Sequence, residues 1–397
     1  MRFKTAVQLI VAEWADAREH NEPVDTPPLF LGKPGIGKTS VGESAALAMT
    51  AIVQGENPGA PPALFDPLDL SSILPEDLGG IPFRELDEAT QVSYTLFAIR
   101  KRLAPFCAEG AYGVIVLDDI TQAANAVQIA ARQTVLGRRI GDFTLADGVC
   151  VMVTGNRRED KAGASTLPSH FRNSVCILSI EPDVEEWADW YGKQPRCAPV
   201  VSAFLRYRPG HLTKVPAEAD QQGAFATPRS WHKLGRKMAV AESVGVSLEV
   251  MKGLVGEGVA IELRGFMNTR AQLVNPADVL RGPKAAMPNP GVLNSPDKVF
   301  AMFTGLGETA AQWRTEAKED QKTINAVAVQ LMRAVAWCST GSAKRSNREY
   351  ISIGVSTYTA NGGDITDLIQ ASRTERNDPL VAETLNFLAS AVKNSPK

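Results

Sequence analysis

The stretch Gly32–Ser40, "GKPGIGKTS", decides how the rest of the chain is read. Three glycines, one proline and two lysines fill nine residues, directly after the apolar run Leu29–Leu31. Gly32, Gly37, Lys38 and Thr39 fall at the fixed places of the pattern G-x-x-x-x-G-K-[ST]. Glycines at such a turn let backbone N–H groups face a polyanion that a Cβ would obstruct. A helix starting near Lys38 aims the positive end of its dipole at the same point. Lys38 supplies a point charge suited to β- and γ-phosphates, and the Thr39 hydroxyl suits Mg²⁺. Pro34 stiffens the loop entry. The expected cradle is Gly32, Pro34, Gly35, Ile36, Gly37, Lys38, Thr39 and Ser40, and the expected ligands are ATP and Mg²⁺. An isolated motif of this kind also fits an ordinary strand–turn–helix corner, so its companions matter.

Two companions follow. "GVIVLDDI", Gly113–Ile120, is an apolar strand ending in two acids. Asp118 is placed to hold Mg²⁺ with Thr39, and Asp119 to orient or deprotonate an attacking water. In "VMVTGNRR", Asn156 ends another buried strand, where it can reach the γ-phosphate or the lytic water.

The apolar runs Leu29–Leu31, Leu64–Leu70 (interrupted by Pro67), Val114–Leu117, Val149–Thr154 and Val175–Ile180 read as strands separated mostly by helical stretches. That alternation predicts an α/β fold: a three-layer α/β/α sandwich with a parallel five-stranded sheet. Asn125–Leu136 reads as a helix with Asn125 as cap and Gly137 as stop. Gly141-Asp142 reads as a hairpin turn. Beyond Pro182 the strands thin out. Thr227-Pro228 starts a helix with Trp231, Leu234 and Met238 on one face, and another covers roughly Val255–Met267. A proline-rich, linker-like patch spans Arg281–Pro296. A helix near Lys318–Trp337, a polar glycine- and serine-rich segment and a last helix from Asp378-Pro379 follow. The expected domains are an α/β domain over 1–195, an all-α lid over 196–280 and a mainly helical C-terminal extension over 281–397.

Composition narrows the class. The chain has 397 residues, 44% hydrophobic and 22% charged, which is ordinary globular usage. A net charge of −2 implies no global attraction to nucleic acid or anionic membrane. The basic run Ala98–Leu103 reads as a solvated helix face or subunit contact, and the aromatic cluster Trp187–Tyr191 as packing. Arg138 and Arg139 of the hairpin are candidates to face a ring pore. Five scattered cysteines form no C-x-x-C pair, and the four histidines lack metal-ligand spacing. No apolar run is long enough to span a membrane, and a cytoplasmic protein is expected.

The order of "GKPGIGKT", "VIVLDD", "VTGN", an arginine after "LP", and "FATPRSW" resembles an AAA+ ATPase. More narrowly it is similar to the MoxR branch of bacteria, archaea and phage. "LPEDLGGIPF" matches the segment those relatives carry after the second strand, and "RRIGDFTL" their hairpin before the sensor asparagine. The resemblance covers about Val7–Met267. It implies that Arg229 is a second sensor touching the γ-phosphate from the lid. It also implies that Arg172 is a finger reaching a neighbour's site, with Arg157 and Arg158 as alternatives, because relatives often carry that arginine where this chain has Ser174. Relatives carry glutamate at Asp119, whose carboxylate is therefore set back by about 1.5 Å.

The resulting expectation is a Mg–ATP-dependent ATPase, assembled with itself into a hexameric ring, that remodels a protein client; the resemblance implies one bearing a von Willebrand factor A domain. The alternatives are a nucleic-acid motor or loader, a nucleotide-stabilised ring with slow turnover, and a P-loop kinase. The near-neutral charge counts against the motor, and the sensor residues against the kinase.

Overall fold

The computed structural model describes residues 1–24, 26–160, 165–215, 223–240, 245–340, 350–375 and 377–393. The polar segment expected after Trp337 lies mostly outside the described residues. The chain divides into two compact units, Met1–Asp183 and Val184–Lys397.

In the first unit the described strands are β1 (Pro28–Leu31), β2 (Leu64–Asp69), β3 (Ile81–Asp87), β4 (Val92–Ala98), β5 (Tyr112–Asp118), β6 (Arg139–Ile140), β7 (Phe143–Thr144), β8 (Gly148–Gly155) and β9 (Cys176–Ser179). The helices are α1 (Phe3–His20), α2 (Lys38–Glu56), α3 (Glu76–Gly79), α4 (Asn125–Gly137) and α5 (Ser169–Arg172). Five strands form one sheet in the order β2-β5-β8-β1-β9, every pair parallel.

Alternation along the strands makes the sandwich. Phe30, Val114, Val116 and Met152 pack on α1 and α2 through Ile10, Trp14, Val41 and Met49. Leu29, Ile115, Leu117, Val151 and Val153 pack on the other side against Val127, Ala131 and Val135 of α4 and Phe171 of α5. Phe30 is fully buried, a transfer that contributes about 2 kcal/mol. Pro67 does not break β2. That strand pairs only with β5 and lies at the sheet edge, where a missing N–H is tolerated.

Several local expectations shift. Helix α4 begins with Ala124 as N-cap and no side-chain cap, and Arg138, at φ 48°, closes it instead of Gly137. The β6–β7 hairpin forms as expected, with Ile140 opposite Phe143. Arg138, a pore candidate in the sequence, is turned inward: its guanidinium donates to the backbone carbonyls of Val24 (3.0 Å), Ala146 (2.8 Å) and Val149 (2.9 Å). Arg139 is exposed. The basic run is no helix face; Arg100 pairs with Asp77 and Arg102 with Asp66. The antiparallel ribbon β3–β4 has no counterpart in the sequence reading.

The second unit is helical: α6 (Val184–Gly192), α7 (Pro199–Tyr207), α8 (Pro228–Val240), α9 (Leu248–Val255), α10 (Glu257–Ala271), α11 (Pro276–Arg281), α12 (Pro283–Ala286), α13 (Pro296–Glu316), α14 (Gln321–Ser339), α15 (Ile351–Ala360), α16 (Ile365–Thr374) and α17 (Pro379–Lys393). Thr227 caps α8: its Oγ1 accepts from Ser230 N at 3.1 Å, while Thr227 N donates to Ser230 Oγ at 2.8 Å. Trp231 and Leu234 are buried beneath it. Trp187 stacks on Tyr191 with ring centroids 4.7 Å apart, so most of that aromatic cluster is packing.

Two cores share this unit. One gathers Phe204, Trp231, Leu263 and Phe266 with Phe300 and Ala301 of α13. The other gathers Met302, Phe303, Leu331, Val335 and Tyr358. The linker-like patch is packed rather than free: Met287 and Leu293 are buried, and Trp337 Nε1 donates to Met287 O at 2.9 Å. Among the described residues, no helix is long and apolar enough to cross a membrane.

Candidate functional site

The connection after β1 runs through α2 toward β2, and the one after β8 runs through α5 toward β9. Since α2 and α5 cover opposite faces, β1 and β8 part company at their carboxyl ends, the place where open α/β sheets form crevices. The glycine loop follows β1, Asp118 ends β5, and Asn156 follows β8.

The loop's backbone requires its glycines. Gly37 sits at φ 95° as the N-cap of α2, without any side-chain cap on the helix, and Gly35 at φ 74°. A Cβ on Gly32 would meet Ile180 O at 2.7 Å. The segment Lys33–Gly37 thus turns tightly and leaves the first turn of α2 without a side chain over its N–H groups.

Lys38 is 6% exposed. Its ammonium donates to Gly32 O (2.9 Å), Lys33 O (3.0 Å) and Asn156 Oδ1 (2.8 Å). The Thr39 hydroxyl donates to Asp118 Oδ2 at 2.7 Å. The other Asp118 oxygen accepts from Thr154 Oγ1. Asp119 departs from the strand in the left-handed region, φ 55° and ψ 39°. That turn lets its N–H reach Thr154 Oγ1 at 3.1 Å and brings its carboxylate to 3.4 Å from Asn156 Nδ2. The Asn156 amide therefore stands between Lys38 and Asp119, and its own N–H donates to Thr121 Oγ1 at 2.9 Å.

Thr121 and Thr154 escaped the sequence reading, although Thr154 lies within the quoted "VTGN". Gln128 escaped it too. This buried amide donates to Ile120 O (3.0 Å), Ala123 O (3.2 Å) and Ser165 Oγ (2.9 Å), fixing the segment after Asp119. No spacing rule marks a glutamine whose partners are two backbone carbonyls and a serine hydroxyl.

The arginines stand apart from this cluster. Arg157 is tied down beside it, donating to Ile180 O at 3.2 Å and pairing with Glu181. The Arg158 side chain lies outside the described residues. Arg172 ends α5, exposed, with no ion pair among the described residues, while Ser174 donates back to His170 O at 2.7 Å. Arg229 is exposed in the first turn of α8, in the second unit. Among the described residues no group of histidines, cysteines and acids forms a metal cluster, so any cation here would rely on hydroxyl and single-carboxylate oxygens.

No protein-family model matches the chain, and no curated protein matches it. Among solved structures it is similar to NtrX from Brucella abortus, at 12% identity and a TM-score of 0.34, covering 66% of this chain and 60% of that one. PCH-2 from C. elegans matches at 13% identity and a TM-score of 0.32, covering 67% and 62%. The RuvB P216G mutant from Thermotoga maritima matches at 14% and 0.30, covering 83% and 81%. The chain thus spans less than two thirds of the NtrX and PCH-2 structures, and likenesses this distant carry no activity across to it. What the chain itself presents is a parallel α/β/α sandwich whose carboxyl edge joins a glycine turn, a lysine, a threonine, two aspartates and an asparagine by hydrogen bonds.

Proposed function

We propose that the chain binds Mg–ATP at this edge and hydrolyses it, as an AAA+ ATPase of the MoxR-like kind working in a ring on a protein client. The observation that carries the reading is the paired contact of the loop's two last functional residues: Lys38 to Asn156 and Thr39 to Asp118. Residues far apart in sequence meet where a polyphosphate and its metal would be held.

The residues present fit those ligands. The left-handed glycines at 35 and 37 and the uncapped start of α2 leave room and donors for phosphate oxygens. Thr39 and Asp118 offer the hard oxygen donors that Mg²⁺ prefers, and these two residues would hold it. Bound there, the ion would offset charge on the β- and γ-oxygens. Lys38, now satisfied by two carbonyls and an amide, would turn one donor to phosphate. Asp119 would take the proton of the attacking water, and Asn156 would position that carboxylate. Arg172, exposed and without an ion pair among the described residues, is the better candidate to reach a neighbouring subunit. Arg157 is already engaged with Glu181. Arg229 is the proposed second sensor.

The test combines nucleotide titration with turnover. Lys38→Ala should lose ATP binding. Arg172→Ala should bind ATP yet turn over poorly as a uniform assembly, and mixing it with Asp119→Asn should restore activity at hybrid interfaces. A monomer with full activity would refute the ring. A nucleotide-stabilised ring with little turnover is the second reading, favoured by the short aspartate at 119 where glutamate would reach further.

A further inference from the structure

Helix α8 carries a stripe of cations on its exposed face. Lys233, Arg236 and Lys237 are exposed, with Arg229 at the head of the same face, opposite the buried Trp231 and Leu234. The helix contains no acid. Among the described residues none of these four cations forms an ion pair. On the neighbouring α6, Glu185 lies 2.9 Å and Asp189 3.6 Å from Arg206. In a chain of net charge −2, this is a local concentration of positive charge.

An aromatic platform adjoins the stripe. Trp190 of α6 is 45% exposed, and its ring meets His232 of α8 edge-on with centroids 5.1 Å apart. Arg236 acts on His232 electrostatically, and burial together with that cation lowers the histidine's pKa, so the imidazole is neutral near pH 7. Trp190, His232 and Arg236 therefore form one continuous surface: an apolar face against which a base can stack, beside cations one helical turn apart, about 6 Å, the scale of phosphate spacing along an extended strand.

We infer that this surface of the second unit binds single-stranded nucleic acid, with Lys233, Arg236 and Lys237 on the phosphates and Trp190 stacking on a base. Charge alone would suit any acidic partner; the exposed indole packed on a neutral histidine favours a ligand that has π-faces as well as anions. The inference does not depend on ATP hydrolysis.

The test is fluorescence anisotropy of a labelled twenty-nucleotide oligothymidylate and its oligouridylate counterpart with the full chain, over a range of salt. Binding should weaken with salt, and the combined Lys233→Glu, Arg236→Glu, Lys237→Glu variant should lose at least tenfold. Neutral glutamine replacements at the three positions should flatten the logarithmic salt slope by about 2. Trp190→Ala should weaken binding roughly five- to hundredfold with the slope unchanged. Lys38→Ala should leave oligonucleotide binding in place, which separates a failure here from a failure of the nucleotide site. Circular dichroism checks that each variant is folded. Wild-type binding absent at low salt, or equal in the triple variant, overturns the inference. So does polyglutamate binding as tightly as oligonucleotide with no effect of Trp190→Ala, an outcome that would assign the stripe to an acidic protein.

Discussion

The Thr39 hydroxyl donates to Asp118 Oδ2 at 2.7 Å across 79 residues of sequence. Thr154 holds the other oxygen of the same carboxylate, so the acid is aimed from both sides. Thr39→Val keeps the side chain's shape and removes the hydroxyl. The Mg²⁺ concentration needed for nucleotide binding should rise ten- to a hundredfold, read by titrating magnesium against a fluorescent ATP analogue. An unchanged requirement would place the metal elsewhere.

Lys38 is buried with three acceptors around its ammonium. Lys38→Ala should weaken ATP binding by roughly a hundredfold, measured calorimetrically. Equal heats for the two proteins would remove the nucleotide reading at its root.

Asp119 holds a left-handed turn that brings its carboxylate to the Asn156 amide. Asp119→Asn should lower kcat by a factor of about 10² to 10⁴ while ATP binding persists. Asp119→Glu asks whether reach limits the rate: faster turnover identifies the shorter side chain as the brake, and a loss shows that this pocket is built around aspartate.

Arg138 offers a stability test away from the chemistry. Removing its guanidinium takes a donor from the carbonyls of Val24, Ala146 and Val149, of which Ala146 keeps the Val149 N–H at 3.0 Å. Arg138→Met should cost about 3 kcal/mol in the first unit, seen in urea as an earlier transition of that unit. A midpoint equal to wild type would mean that water replaces the guanidinium without loss.

Acid should loosen the last helix. Asp378 is opposed by burial, which raises its pKa. The Arg333 guanidinium at 2.6 Å and the N–H groups of Leu380 and Val381 outweigh that and hold the pKa below the ordinary value of 3.8. A folded-state pKa depressed in this way stabilises the fold above the unfolded pKa, and the contribution disappears as pH falls through the folded value. Below pH 4, α17 should fray first, and Asp378→Asn should remove that acid dependence. Hydrogen exchange of the Leu380–Leu388 amides against pH reads both.

The central part of the site was legible because its signals are local. The glycine spacing with its lysine and threonine spans eight residues, and each strand that ends in polar residues is read within its own short run. The five strands were legible for the same reason, since apolar runs flanked by polar ends have one cheap burial solution. What stayed hidden depends on acceptors that sequence does not mark. Arg138 was read as a pore residue because its partners are backbone carbonyls, common to every residue type. Gln128 was missed on the same account. The β3–β4 ribbon lacks a buried face: Phe83, Leu86, Val92 and Tyr94 are exposed, so no one-sided alternation announces it. The prolines of 281–296 suggested a tether, yet Met287 and Leu293 between them anchor the segment to a core.

Helix α13 lends Phe300 and Ala301 to one core of the second unit and Val299, Met302 and Phe303 to the other. A single rod wedged into two cores leaves neither able to pivot alone. Helix α8, through Trp231 and Leu234 in one core, and α17, through Val381 in the other, are joined by that one helix.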